Sequence, residues 1–568
     1  MKVVIVGGVA GGATAAARIR RLDETAEIVI LEKSGYISYA NCGLPYYIGD
    51  VIKEAENLTI QTPDKFWSRF RIRVEVNHEV TDIDPEKKTL RVKDLKGQRE
   101  YEESYDKLIL SPGAKPLRPD FPGGDSEKIF SLRTVEDTLN IHRFIEENKS
   151  QSAVIVGGGY IGIEVAENLR EKGLDVTIIQ KPNQLMNTID YDMASFVHKE
   201  VRSHGVNLKL NSNVTGFAEE GDQILTLLEG ECGQEKISSD LVLLSIGVQP
   251  ENELAKKAGL DLGLKGSILV NDKMETSKPD IYAVGDAIQV KHFVTEEDAH
   301  IALAGPANKQ GRIVADNVCG GHSHYQGSMG TSIIKIFDLT VAATGLTERG
   351  AKAAGLDYEP VFLFPLSHAE YFPGARAMAM KIIYEKKTMR ILGGQILGAQ
   401  GVDKRLDVLA VAIHAGVKAD KLKDLDLAYA PPFSSAKDPI NMAGFIVENI
   451  EKGLVQHYYW HQVEELKTRE NVTLLDVRMK DEYDHEPMEG YINIPLDDLR
   501  DRIGELDPKK PLYVTCQSGL RGYVASRILS QKGFEVYNLT GGYMLYASLM
   551  REKKINLQTH PCGKEIFS

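Results

Sequence analysis

The chain of 568 residues is 42% hydrophobic and 26% charged, a globular composition too long for one core and suited to about three to five domains. Its formal net charge of -13 disfavours nucleic acid and anionic membrane as main partners, and no apolar run approaches the roughly 20 residues of a spanning helix. Five cysteines, none in a C-x-x-C or zinc-finger spacing, imply neither a disulfide framework nor a metal site. The start of the chain carries no cationic leader or cleavage site, so a soluble cytoplasmic protein is expected.

Residues 3–6 form a short apolar strand, and Gly7-Gly8-Val9-Ala10-Gly11-Gly12 turns tightly into a helix whose Ala13, Ala15, Ala16 and Ala17 allow close packing on a sheet. A second strand at 27–32 ends in Glu32, 20 residues past Gly12, which completes a βαβ nucleotide unit. Backbone N–H groups of Gly7, Gly11 and Gly12 suit a pyrophosphate and Glu32 suits ribose hydroxyls, although Val9 stands where the usual middle glycine would be. The strand at 105–113 ends in the Gly113 turn. The nucleotide unit then recurs at 152–179, with Gly157, Gly159 and Gly162 in the turn, Glu164 two residues on, and Gln180 where the strand ends. Two copies imply two facing nucleotides. A second return strand ends at Gly285-Asp286.

From about 325 to 445 the pattern changes to strands at 332–337, 377–384 and 390–399, then helices through 407–415, an α+β layer with no glycine-rich site. Residues 451–470 are polar and aromatic by turns and read as a connection. A last α/β set follows, with strands at 472–476, 492–495, 512–515 and 536–538 and helices at 522–531 and near Tyr543.

Two cysteines carry chemical promise. Cys42, in Ser38-Tyr39-Ala40-Asn41-Cys42-Gly43, has no second cysteine within five residues after it, so no local disulfide forms. A thiolate passes electrons best where a positive end lowers its pKa. Thr14, Arg18 and Arg21 fall at i, i+4 and i+7 on the first helix, and Arg69 and Arg71 add further positive charge. Cys516 opens Cys516-Gln517-Ser518-Gly519-Leu520-Arg521-Gly522, a loop running into a helix, whose inward N–H groups favour a bound anion. Cys232, Cys319 and Cys562 have no comparable setting.

Residues 1 to about 445 resemble the flavoprotein disulfide reductases with two dinucleotide-binding domains, most strongly in Thr276-Ser277-Lys278-Pro279-Asp280-Ile281-Tyr282-Ala283-Val284-Gly285-Asp286-Ala287. The resemblance implies FAD on the first unit with Asp286 at its ribityl and pyrophosphate region, and NADH or NADPH on the second, with Glu164 near the nicotinamide or the flavin edge. Gln180 in place of a carboxylate leaves the choice of nicotinamide cofactor open. Ser38 to Gly43 is similar to the active-site sequence of coenzyme A disulfide reductases and their persulfide-reducing relatives. That likeness implies a coenzyme A grip by Thr14, Arg18, Arg21, Ser38, Asn41, Asn308 and Lys437, with Arg69 or Arg71 in place of a basic residue found here as Phe70. It also implies a homodimer whose partner brings Tyr371 and Tyr429 to the substrate sulfur, where a phenol can protonate a leaving thiolate.

Residues 466 to 558 resemble rhodanese domains, with Cys516 and Arg521 in the active loop. The implied fold is α/β: two Rossmann-like domains for FAD (1–110 with 265–324) and NAD(P) (111–264), an α+β dimerisation domain (325–450), a linker (451–465) and a rhodanese-like domain (466–568). The implied function is NAD(P)H-dependent reduction of coenzyme A persulfide and disulfide, coenzyme A being substrate or tightly bound. The alternatives are an NADH oxidase using Cys42 as a sulfenic acid, which here would have Ala10 where that branch has a histidine, and a redox or sulfur-relay protein.

Overall fold

The computed structural model describes residues 1–230 and 233–559. Cys232 and Cys562 lie outside the described residues. The chain forms two compact units, Met1–Leu185 with Arg202–Gly330, and Met186–Val201 with the chain from Thr331 onward.

The first unit holds two five-stranded parallel sheets of the same design. In one, Lys2–Val6 lies between Glu27–Glu32 and Lys107–Leu110, with Arg73–Val76 and Ile281–Ala283 at the edges. In the other, Ser152–Val156 lies between Asp175–Ile179 and Leu241–Leu244, with Asn207–Lys209 and Ile129–Ser131 outside. Val3, Val4, Ile5, Val154 and Ile155 are essentially fully buried, as strands covered on both faces require. The helix Ala10–Leu22 buries Gly11, Gly12, Ala13, Ala15 and Ala16. It crosses Ala304–Val318 so closely that a Cβ on Gly311 would lie 2.5 Å from the Gly11 carbonyl oxygen.

Two antiparallel meanders, His78–Asp84 with Thr89–Asp94 and Arg99–Ser104, and Asn213–Glu220 with Gln223–Gly230 and Gly233–Ser239, belong to the same unit.

In the second unit an antiparallel sheet runs Ser332–Ile336, Leu339–Gly345, Ile391–Gly398, Ala379–Glu385, Tyr358–Leu363. The stretch Met186–Val201 packs here, although it falls inside the 111–264 span read from the sequence as one nucleotide domain. Charge explains the attachment: the fully buried Lys381 ammonium meets Asp190 and Asp192, each at 2.9 Å, and Glu348 at 2.5 Å. The Gln395 amide donates to Asp190 at 2.6 Å.

The last sheet is parallel, in the order Gln456–Tyr458, Val536–Leu539, Leu512–Thr515, Thr473–Asp476, Ile492–Asn493. Its first strand lies within residues 451–465, read from the sequence as a linker. His457 and Tyr458 pair with Asn538 and Leu539, and the polar composition hid a strand whose Tyr458 is 2% exposed. Cys516 follows the central strand Leu512–Thr515 and precedes the helix Leu520–Ser530.

Candidate active site

The two glycine turns obey one steric rule. Gly7 and Gly157 adopt φ of +97° and +111°, which favour glycine. A Cβ on Gly12 would lie 1.9 Å from the Gly7 carbonyl oxygen, and one on Gly162 2.0 Å from that of Gly157. The strand-end side chains are equivalent too: Glu32 Oε2 accepts from Gly8 N–H at 2.8 Å, and Gln180 Oε1 from Gly158 N–H at 2.8 Å.

Glu32 also accepts from Ser34 N–H at 2.9 Å, while burial holds its carboxyl above the usual range. Gln180, a candidate NAD(P)-binding residue at the end of its strand, is buried, and its amide also donates to the Gln184 carbonyl at 3.1 Å, so it fastens the second turn as Glu32 fastens the first.

Both turns fit a dinucleotide. A Cβ on Gly159 would meet nothing within 4 Å, which leaves open space before the N-terminus of Tyr160–Glu171 where a pyrophosphate would meet backbone N–H groups. Near the first turn, Gly113 (φ +75°) and Gly285 (φ +81°) shape the return loops. Asp286 accepts from Arg133 at 2.9 Å. Arg133 was not singled out in the sequence, yet it stands 3.0 Å from where a Gly113 Cβ would be and acts electrostatically on Cys42. The signal for it is the Thr134/Asp137 capping box, which fixes the helix start directly after it.

Cys42 is exposed in the short turn Asn41–Gly43, ahead of the helix Leu44–Ile48. Ser38, at φ +46°, donates its N–H to the Gly8 carbonyl at 2.8 Å and accepts from Ile60 N–H at 2.9 Å, tying this loop to the first glycine turn. In the neighbouring residue, Asn41 Oδ1 is buried without a hydrogen-bond partner among the described residues, an acceptor left unused next to Cys42 in the chain.

The thiol-lowering environment expected around Cys42 is reversed. Although the residue keeps an exposed face, desolvation around the sulfur pushes the thiol up, the Glu164 and Asp286 carboxylates push the same way, and Arg133 opposes them. Glu164 itself is pushed up to about 7 by burial and by Glu167.

On the first helix, Thr14 donates to Asn308 Oδ1 at 2.6 Å and Arg18 pairs with Asp316 at 2.8 Å. Arg18 therefore is not the free cation its helical spacing suggested, whereas Arg21 is exposed. Arg69 and Arg71 are exposed, with Arg71 (φ +48°) 5.5 Å from the Trp67 ring. Arg20, which the periodicity gave no role, is buried and donates all five of its N–H groups to the carbonyls of Asp23, Glu24, Ala26, Phe70 and Arg71.

In the second unit the Tyr371 and Tyr429 hydroxyls lie 2.6 Å apart on an exposed surface, and that hydrogen bond raises the Tyr371 phenol. Lys437 is exposed one residue before Asp438, whose carboxylate accepts from Arg405 at 3.0 Å and Ser434 at 2.8 Å.

Around Cys516, Gly519 N–H donates to the sulfur at 3.1 Å, and the N–H groups of Gly522 and Ser518 act in the same sense. Burial, at 1% exposure, outweighs them and holds the thiol above its ordinary range. Arg521 makes two bonds, at 2.6 and 2.8 Å, to Glu482. Beneath the loop, Asp476 and Arg478 form a fully buried pair, and the guanidinium lies 3.9 Å from the Tyr543 ring centroid.

Residues 1–311 match the pyridine nucleotide-disulphide oxidoreductases, residues 331–439 their dimerisation domain and residues 460–549 the rhodanese-like domain. The chain belongs to the pyridine nucleotide-disulphide oxidoreductase family. It is an enzyme of that family with a rhodanese-like domain added, as the resemblance read from its sequence implies. The dimerisation domain supports formation of a homodimer. Over 445 residues, 78% of this chain and 99% of the relative, it is 37% identical to coenzyme A disulfide reductase of Staphylococcus aureus (strain JH9). The reduced form of Bacillus anthracis CoADR-RHD is 48% identical with a TM-score of 0.94, over 97% of this chain and 98% of that one. An NAD-dependent persulfide reductase from A. fulgidus is 36% identical with a TM-score of 0.89, over 96% and 100%. Among the described residues, no helix is long and apolar enough to cross a membrane.

Proposed function

We propose that this oxidoreductase uses NADH or NADPH to reduce coenzyme A persulfide and coenzyme A disulfide through the single thiol of Cys42, and that Cys516 carries sulfane sulfur to or from coenzyme A. The observation that carries the reading is the exposed Cys42 beside the buried, unpartnered Asn41 Oδ1, tied by Ser38 to the first glycine turn. The similarity to a coenzyme A disulfide reductase and to a persulfide reductase supports the substrate class.

Bound FAD would relay two electrons from NAD(P)H to a disulfide sulfur. It fits the Gly7 to Gly12 turn with Glu32, Gly113, Gly285 and Asp286, and NAD(P)H fits the Gly157 to Gly162 turn with Glu164. The Cys42 thiolate attacks one sulfur of a coenzyme A disulfide, the S–S bond breaks, and coenzyme A leaves as a thiolate. With a persulfide, attack on the sulfur bonded to carbon releases hydrosulfide. Either route leaves Cys42 in a mixed disulfide with coenzyme A, and two electrons and a proton then return the thiolate and free coenzyme A. Glu164, near half-protonated at neutral pH, is suited to moving a proton close to this sulfur. Tyr371 or Tyr429 from the partner subunit would protonate the leaving thiolate in the homodimer. Thr14, Arg21, Ser38, Asn308 and Lys437, with Arg69 or Arg71, would hold the coenzyme A body and its phosphates, and Arg18 would join them by exchanging Asp316 for phosphate.

The test is anaerobic NADH oxidation by wild type, Cys42→Ser and Cys516→Ser on coenzyme A persulfide and coenzyme A disulfide, with hydrosulfide quantified. Rapid persulfide turnover abolished by Cys42→Ser is expected. Turnover that persists without Cys42 would sink the mechanism.

A further inference from the structure

A cavity of about 190 Å³ adjoins the Cys516 loop inside the second unit. Gln517 lines it directly, and the loop is fixed to the start of the last helix by Tyr543 N–H donating to the Cys516 carbonyl at 2.8 Å and Met544 N–H to that of Gln517 at 2.9 Å. The far wall comes from the helix Tyr191–Ser203, more than 300 residues away in sequence. The two walls are joined by a Ser195 to Ser548 hydroxyl contact of 2.8 Å, in which Ser195 is 1% exposed.

Phe196, Met544 and Ala547 give the cavity much of its apolar lining. Of its charged lining groups, Glu486 and Arg551 already answer each other. Arg551 bonds Glu486 at 2.7 and 3.0 Å, and Tyr543 donates to the same carboxylate at 3.1 Å. Arg521, the cation of the cysteine loop, is occupied by Glu482. Both carboxyls are held below the usual carboxylate range, chiefly by their arginines, so both pairs persist at neutral pH. Lys199 is different: it is exposed, lines the cavity, and makes no ion pair with a described residue.

We propose that this cavity is the seat of the organic part of the sulfur donor or acceptor of Cys516, and that Lys199 selects molecules carrying an anionic group, a phosphate or a carboxylate, on a short aliphatic chain. The inference rests on the reading that Cys516 carries sulfane sulfur. A cavity with apolar walls and a lining cation that pairs with no described residue matches an aliphatic thiol with a charged end, since a paired guanidinium has little attraction left for a second anion. In loading, the Cys516 thiolate attacks the outer sulfur of R–S–S⁻ and the S–S bond breaks. R–S⁻ leaves and takes a proton from water, and Cys516 keeps the persulfide. No external oxidant or reductant is consumed, and unloading to a thiolate acceptor is the reverse.

The experiment uses the full chain in a Cys42→Ser background, without NADH, and follows the gain of one sulfur atom at Cys516 by peptide mass spectrometry. The probes are the persulfides of 4′-phosphopantetheine, N-acetylcysteine and pantetheine: a phosphate, a carboxylate and a neutral chain. Lys199→Ala should raise the half-saturating concentration of one or both anionic probes about three- to tenfold, leave pantetheine persulfide unchanged, and be rescued by Lys199→Arg. The probe that responds identifies the anion. No effect of Lys199→Ala, or an equal effect on all three probes, overturns the proposal while leaving Cys516 a sulfur carrier. No loading of Cys516 by any probe overturns both.

Discussion

Replacing Arg478 with methionine tests whether the buried pair beneath the Cys516 loop is held by charge or merely filled by volume. In the wild type Asp476, 0% exposed, accepts from Arg478 Nε at 2.9 and 3.1 Å, from its terminal nitrogen at 2.7 Å, and from its backbone N–H at 3.0 Å. Arg478→Met keeps the aliphatic stem and removes every one of these contacts except the backbone bond. Stranding a buried carboxylate in this way costs about 3–5 kcal/mol, and the lost stacking on Tyr543 adds about 1 kcal/mol. At about 4–8 °C per kcal/mol for a domain of this size, the melting transition of the last domain falls by roughly 20 °C or more. Calorimetry of the full chain, with early proteolytic cuts mapped by mass spectrometry, locates the loss. The paired change Asp476→Leu with Arg478→Met should recover most of the stability, because no charge is left stranded. A single variant within about 1 kcal/mol of wild type, or a double variant no more stable than the single, would refute the reasoning.

Gly159→Ala should fold normally, since its Cβ meets only open space, yet weaken NAD(P)H binding by tenfold or more; Gly12→Ala, whose Cβ would strike the Gly7 carbonyl, should impair folding itself, and thermal melting beside nucleotide titration separates the two. The Glu164 carboxyl, raised from 4.5 to about 7, favours the folded state fully below its ordinary pKa and loses that contribution as pH climbs to about 7. Urea denaturation of Glu164→Gln should therefore show it gaining about 3 kcal/mol relative to wild type between pH 4.5 and 8, and a difference flat with pH would refute the assignment. Releasing Arg18 by Asp316→Asn should lower the KM for coenzyme A disulfide about threefold, and Arg21→Ala should raise it by a similar factor. A KM indifferent to both would remove this helix from the substrate site.

The strands of both parallel sheets were legible because burial on both faces forces unbroken apolar runs such as Val3-Val4-Ile5-Val6, and the glycine turns because sterics leave few residues able to take their place. The antiparallel meanders were not. Glu100, Glu102, Glu235 and Lys236 give them the composition of loops, and their order comes from pairing partners rather than from local apolar pattern. The strand at Gln456–Tyr458 was hidden for the same reason. Within the site, helical spacing placed Thr14, Arg18 and Arg21 in a row, but only the fold reveals that Asp316 neutralises Arg18 from another helix. Lys199 had no motif to mark it and Arg133 only the capping box that follows it, since each gains its meaning from residues far away in the chain.

The five carbonyls gathered by Arg20 give the first unit a hinge that does not swing. With every donor spoken for, this guanidinium has nothing to offer a ligand, and what it contributes is geometry. It joins the end of the first helix, the entry to the next strand and the turn at Phe70–Arg71, so Arg21, Arg69 and Arg71 ride on one rigid mount. A polyanion arriving there meets cations whose spacing was set when the chain folded, and the entropy of arranging them was spent then, not at binding.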